Sequence, residues 1–224
     1  RGAVPIATVL PLLTRFALPG ALSSLTTVPV LWLVQALLSR STSGFSQLAL
    51  YAASLNLLSA VLFVPSILNN VAMPWINRER AQGGEAAYRG AFRAAVRASA
   101  LTMGVALAAV AVAGPWLLGL YGGAFRDGYP ALLVLLAAAI PETLTVALNQ
   151  GVQVRERMWQ ALVAVNLPRD AVILGGALLL IPTHGALGAA AAYLAGRLVA
   201  FVGVVWLVRH DLAAAQARLV ESST

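Results

Sequence analysis

Apolar residues run through this chain in six long stretches separated by short polar connections. The stretches fall at about 14–38, 46–73, 94–120, 130–152, 160–181 and 185–208. A run of about 20 apolar residues is enough to cross the hydrocarbon core of a bilayer. Backbone N–H and C=O groups find no water there, so a crossing segment must satisfy them internally, as a helix does. The expected fold class is an all-α membrane protein, a bundle of six transmembrane helices. With 60% hydrophobic and 10% charged residues in 224, little is left for a soluble domain.

The polar connections carry the charge, and they carry it unevenly. All 15 basic residues are arginine. Arg1, Arg15, Arg78, Arg80, Arg89, Arg93, Arg97, Arg155, Arg157, Arg209 and Arg218 fall on one side of the expected membrane, and only Arg40 and Arg126 on the other. Positive charge accumulates on cytoplasmic loops, so both termini are expected in the cytoplasm. The net charge of +7 is explained by this bias. No solvated basic face of the kind that binds nucleic acid is present in the pattern, and nucleic acid is not an expected partner. Trp32, Trp75, Trp116, Trp159 and Trp206 mostly sit near span ends, where amphipathic rings meet the headgroups. There is no cysteine, which excludes disulfides and thiolate chemistry. The chain opens Arg1-Gly2-Ala3 with neither methionine nor signal peptide, so a piece of a longer or processed protein is expected.

The second connection is the long one. Within 85–97, Arg89, Arg93 and Arg97 form one row at four-residue spacing, and Tyr88, Phe92 and Val96 the adjacent row. This pattern suits an amphipathic helix lying in the cytoplasmic interface, as a topology anchor or a contact for anionic lipid or substrate phosphate. Prolines interrupt four spans: Pro19 and Pro29, Pro65, Pro141 and Pro168. Each removes a helix donor, and Ser23, Ser24, Thr26 and Thr27 are placed to re-pair freed backbone groups. Broken spans suit a bundle that encloses a cavity and moves. In the last span Gly188, Ala192, Gly196 and Ala200 form a small-residue row for close helix packing, beside Tyr193, Arg197 and Phe201.

Four ionisable residues lie deep in the spans: Glu142, Arg169, Asp170 and Arg197. At about 1.5 Å per residue, Glu142 and Arg197 lie about 18 Å from the outer edge and Asp170 about 15 Å from the inner edge. A lone charge at that depth costs at least about 2.5–3.5 kcal/mol, so partners are expected. Arg197 should pair with Glu142 or Asp170. Arg169 and Asp170 are neighbours in sequence and should point to partners on other helices. The acids can carry a coupling proton or sodium ion, and the arginines can hold a phosphate. The same four residues can also form an ion-pair network that only fixes helix register. Arg15, near the inner surface, can snorkel or face a cavity. No catalytic constellation or metal site is found. His184 and His210 have no ligand-spaced neighbours, and phosphate loops and nucleophile elbows are absent, so an enzyme is not expected.

The order of features resembles a known family. The first span opens Thr14-Arg15-Phe16-Ala17-Leu18-Pro19-Gly20 and reaches Val28-Pro29-Val30-Leu31-Trp32. The second follows Gly44-Phe45-Ser46-Gln47-Leu48-Ala49-Leu50-Tyr51, contains Leu62-Phe63-Val64-Pro65 and ends Met73-Pro74. Later come Pro115-Trp116-Leu117-Leu118-Gly119-Leu120-Tyr121-Gly122 and Gly185-Ala186-Leu187-Gly188. This is similar to the C-terminal lobe of an O-antigen type polysaccharide flippase of the multidrug/oligosaccharidyl-lipid/polysaccharide exporter superfamily. Such flippases often carry a Gln-Trp-Arg-like element where this chain reads Ser54-Leu55-Asn56-Leu57-Leu58-Ser59, and Asn56 is the candidate contact there.

The resemblance implies one six-helix lobe of a two-lobe, MATE-like transporter in the bacterial inner membrane, with the N-terminal lobe missing from this chain. It implies alternating-access export of an undecaprenyl-diphosphate-linked oligosaccharide for lipopolysaccharide or other polysaccharide assembly. The partners implied are membrane lipid, the lipid-linked oligosaccharide and the missing lobe. No cofactor is implied beyond a coupling proton or sodium ion. The substrate-contact candidates are Arg15, Arg197, Arg169 and Asn56, and the coupling-ion or ion-pair candidates are Glu142 and Asp170. A cation-coupled multidrug exporter of the same superfamily is the alternative. An integral membrane enzyme of glycan assembly would need clustered catalytic side chains, which the sequence lacks.

Overall fold

The computed structural model describes residues 14, 17–41, 44–154 and 158–221 of the protein. Among them the regular elements are all helical. Helix α1 spans Leu18–Ser39 and α2 spans Gly44–Gly119. A 3-10 turn, Gly123–Gly128, leads into α3, Tyr129–Val154. A short α4, Met158–Ala161, continues through a π-helical turn, Leu162–Asn166, into α5, Leu167–Glu221. Among the described residues five segments are long and apolar enough to cross a membrane: Leu18–Ser39, Gly44–Phe63, Ala100–Gly119, Gly123–Asn149 and Met158–His210. The first four match the first four expected stretches. The last two expected stretches share the fifth segment.

That fifth segment of 53 residues would be about 80 Å long if straight. It is folded in two at Gly185, where φ is 53° and ψ is −126°. A left-handed backbone of this kind suits glycine, which has no Cβ to clash. The arms return antiparallel in a constant register. Gly188 meets the Leu180 backbone, Gly176 meets Ala192, Gly196 meets Ile173 and the Arg169 carbonyl, and Gly203 meets the Ala164 carbonyl. A Cβ on Gly188, Gly196 or Gly203 would overlap those atoms. The expected small-residue row is thus the seam of a helical hairpin. The seam also accounts for Pro168. The carbonyl its missing N–H cannot reach is that of Ala164, which lies against Gly203, and a π turn opens the helix just before the proline.

The connection between α1 and α2 is tight. Ser41 N–H and its hydroxyl both donate to the Leu38 carbonyl, at 3.1 and 2.8 Å. Gly44 begins α2 so close to Ser39 that a Cβ would overlap its carbonyl. Residues 74–84, expected as a connection, are helical within α2 and run without a break into the helix expected over 85–97. Alanine, glutamate, glutamine and arginine dominate 78–89, and these are strong helix formers that outweigh Gly83 and Gly84. On α1 the hydroxyls of Ser23, Ser24, Thr26 and Thr27 bond the carbonyls of Pro19, Gly20 and Ser23. The carbonyl deprived by Pro29 is that of Leu25, so these hydroxyls do not re-pair it, contrary to the expectation from the sequence.

The main core joins all the long helices. It contains Val34 and Leu38 from α1, Tyr51, Leu58 and Leu118 from α2, and Ile173, Ala177 and Ala189 from α5. Ala131, Leu132, Leu135, Leu136, Ala138 and Ala139 are its α3 face, spaced at helical period. A smaller cluster, Ala161, Val165, Ala200, Val204 and Leu207, closes the open end of the hairpin.

Candidate functional site

Two charge clusters lie inside the bundle, one on each arm of the hairpin. The first joins α3 to the returning arm. Arg197 Nη2 meets Glu142 Oε1 at 2.8 Å. The Tyr193 hydroxyl donates to Glu142 Oε2 at 3.0 Å and accepts a hydrogen bond from Arg197 Nη2. Tyr193 and Arg197 are one turn apart, so they share a helix face. The Arg197 guanidinium also stacks on the Tyr193 ring, 4.7 Å from its centroid, which adds a cation–π attraction. The expected pairing of Arg197 with an acid is realised here with Glu142. Tyr51 of α2, only 1% exposed, lies within electrostatic reach of Tyr193 and Arg197. Ala138 and Ala139, about one turn before Glu142 on α3, and Ala189, one turn before Tyr193 on α5, are buried. Arg197 Nε is buried without a hydrogen-bond partner among the described residues.

The second cluster ties α1 to the outgoing arm. Arg169 and Asp170 pair with each other: both Nε and Nη2 of Arg169 lie 2.8 Å from Asp170 Oδ1. This corrects the expectation that the two side chains diverge, while the expected partner on another helix is found in Thr27 of α1. Successive helical residues diverge, but a long arginine side chain can curl back over its neighbour. The pair then grips α1 through one hydroxyl. Arg169 Nη2 donates to Thr27 Oγ1, and the one Thr27 hydroxyl proton is shared between Asp170 Oδ2 at 3.1 Å and the Ser23 carbonyl at 2.8 Å. One turn along, Asn166 Nδ2 donates to Ser23 Oγ at 2.9 Å. Asp170 is 4% exposed and lies near enough to Arg197 to attract it. The two clusters therefore form one electrostatic neighbourhood.

The other candidates lie apart from this neighbourhood. Asn56 is on the exposed side of α2, and no hydrogen bond joins it to either cluster among the described residues. Arg15 lies outside the described residues. His184 is exposed and meets Thr183 Oγ1 at 2.7 Å. Among the described residues no group of three or more His, Asp or Glu side chains could hold a metal ion. Two residues escaped the sequence reading. Thr27 was visible only as one hydroxyl among several, although Asn166 and Asp170 at four-residue spacing mark a polar helix face opposite it. Gln47 gave no signal at all. Its Oε1 accepts the Ala186 N–H at 2.8 Å and caps the returning arm across 139 residues of sequence.

Chemically, both oxygens of Glu142 are engaged, one by Arg197 and the other by Tyr193. Each cluster as it stands contains one acid and one base. They can hold helices in register, and they can exchange partners with an incoming anion or proton.

No family model matches the chain, and no solved structure matches it. Similarity is found to proteins of two bacteria, both named "EPS I polysaccharide export inner membrane protein EpsE". The one from Ralstonia nicotianae is 29% identical over 147 residues, 65% of this chain and 34% of its own length. The one from Ralstonia solanacearum is 27% identical over 150 residues, 66% of this chain and again 34% of its own length. The chain therefore matches about a third of the length of these curated relatives, which are membrane export proteins by name.

Proposed function

We propose that this chain is one lobe of a polysaccharide exporter that moves an undecaprenyl-diphosphate-linked oligosaccharide across the bacterial inner membrane by alternating access, as O-antigen type flippases do. The similarity to two proteins named for polysaccharide export carries this reading. The chain crosses the membrane six times, the fifth apolar segment passing twice as a hairpin, and both its ends lie in the cytoplasm. The stretch around 85–97 rests in the inner interface. A second lobe completes the cavity, in keeping with relatives of which the match covers a third.

The polar glycan passes between the lobes while the isoprenoid tail stays in lipid. Arg197, Arg169 and Arg15 supply the positive charge that faces the diphosphate. Arg197 is neutralised by Glu142 at rest, so the diphosphate must compete with the carboxylate for the guanidinium. The displaced Glu142 then becomes available to a coupling cation, and Asp170 has the same relation to Arg169.

The test is movement of glycan-linked lipid by the complete native polypeptide in reconstituted vesicles. The double variant Arg197→Gln with Glu142→Gln removes the pair without stranding a charge. Transport lost with folding retained is the expected result. Full transport in that variant removes the pair from the mechanism. Ion-driven efflux of drugs, with no glycan-lipid movement, would replace this reading by that of a multidrug exporter. Glycosyltransferase and polymerase genes beside the full reading frame are expected on the present one.

A further inference from the structure

One face of α2 breaks the rule for a helix surrounded by lipid. Along its first apolar stretch the inner side carries Tyr51, Ser54, Leu58 and Val61, all buried. The opposite side exposes Asn56, Ser59, Phe63 and Ser66 at helical spacing, with Ala60 and Ile67 exposed beside them. Asn56 lies about 18 Å along the helix from Gly44, near the middle of a hydrocarbon core about 30 Å thick. Its carboxamide makes no hydrogen bond among the described residues. Facing acyl chains it would lose its water for nothing, so the row faces water or a polar ligand. Nor does the row suit close packing against another helix. Phe63, 63% exposed, stands between the two serines, whereas close helix seams are enriched in small residues.

The chemistry of the row is specific. Ser59 and Ser66 donate their hydroxyl protons to the carbonyls of Leu55 and Phe63, at 2.9 and 2.7 Å. Their oxygens keep lone pairs and act as acceptors. Asn56 both donates and accepts. Phe63 offers the electron-rich face of an aromatic ring, which attracts polarised C–H groups. The row carries no charge. Acceptors alternating with an aromatic face complement a sugar ring, which presents hydroxyl donors at its edge and C–H groups on its face.

We propose that Asn56, Ser59, Phe63 and Ser66 form a contact surface for the uncharged sugar units of the exported glycan, separate from the arginines that face the diphosphate. The inference rests on the export reading and assigns the glycan its own track. This chain contains no cysteine, so Asn56→Cys, Ser59→Cys and Ser66→Cys can each be labelled with a charged thiol reagent in the complete native polypeptide, other cysteines removed. Leu58→Cys, 2% exposed, is the buried control. The three row positions should label rapidly, and glycan-linked undecaprenyl diphosphate should slow that labelling while sugar-free undecaprenyl diphosphate does not. Asn56→Leu should lower transport by up to about tenfold, the scale of one hydrogen bond, with folding retained. Labelling as slow as at Leu58→Cys overturns the proposal. So does equal protection by the sugar-free lipid, or no protection, while glycan transport by the unmodified protein continues and the export reading stands. If the unmodified protein moves no glycan-linked lipid, both fall together.

Discussion

Arg197 illustrates how a charge is kept inside a membrane bundle. Its guanidinium touches a carboxylate and a phenol at once and stacks on the phenol ring. Cutting one partner from a buried pair strands the other, which costs about 3–5 kcal/mol, whereas replacing both by apolar groups is often neutral. Arg197→Ala should therefore lower the thermal stability of the purified protein sharply. Arg197→Leu combined with Glu142→Leu should restore most of it. Stability unchanged in the single variant would show that the pair is not closed in the membrane. Thr27→Val tests the second cluster. It removes the hydroxyl shared by Arg169 and Asp170, and the loss should be about 1–3 kcal/mol, the cost of unsatisfied buried polar groups. The Arg197 pairing was legible in the sequence because depth alone forced it. The Arg169–Asp170 pair was not, because adjacency on a helix argues for divergence and says nothing of how a long side chain folds back.

At the scale of elements, the hairpin at Gly185 is the most constrained part of the chain. Its turn combines a left-handed residue with a side-chain cap from another helix. Gly185→Ala would force a Cβ into the Gln47 carboxamide as well as an unfavourable backbone, an expected loss of at least about 1–3 kcal/mol. Gln47→Ala should cost about 1–3 kcal/mol by orphaning the Ala186 N–H. Gly196→Val should be worse than either, because its side chain meets both Ile173 and the Arg169 carbonyl. Melting temperature in detergent ranks the three. The apolar stretches, the prolines and the small-residue row were all readable in advance, since period and composition are local properties. The helical continuity of 74–84 with the segment that follows and the register of the two arms were not. The first turned on helix propensity outweighing two glycines, and the second on contacts between distant residues.

For the whole molecule, the test is topological. On the proposed arrangement, a cysteine placed near Arg89 should be labelled only from the cytoplasmic side of intact cells, and one near Arg126 only from the outside. Labelling of the Arg89 tract from outside would reverse the arrangement. The direction of the arginine bias was plain in the sequence, because loops carry it. The partner lobe is of another kind. As proposed, it rests on the match covering about a third of the relatives' length, a long-range property that no local pattern encodes.

Gln47 and Ala186 also bear on how the protein is made. A ribosome releases the glutamine long before the backbone amide it caps, so the early helix must wait in the bilayer with its acceptor unfilled. The final pair of helices then docks onto a site already in place. Biogenesis should accordingly stall at a late intermediate in Gln47→Ala, seen as protease-sensitive chains that are fully inserted but not yet closed.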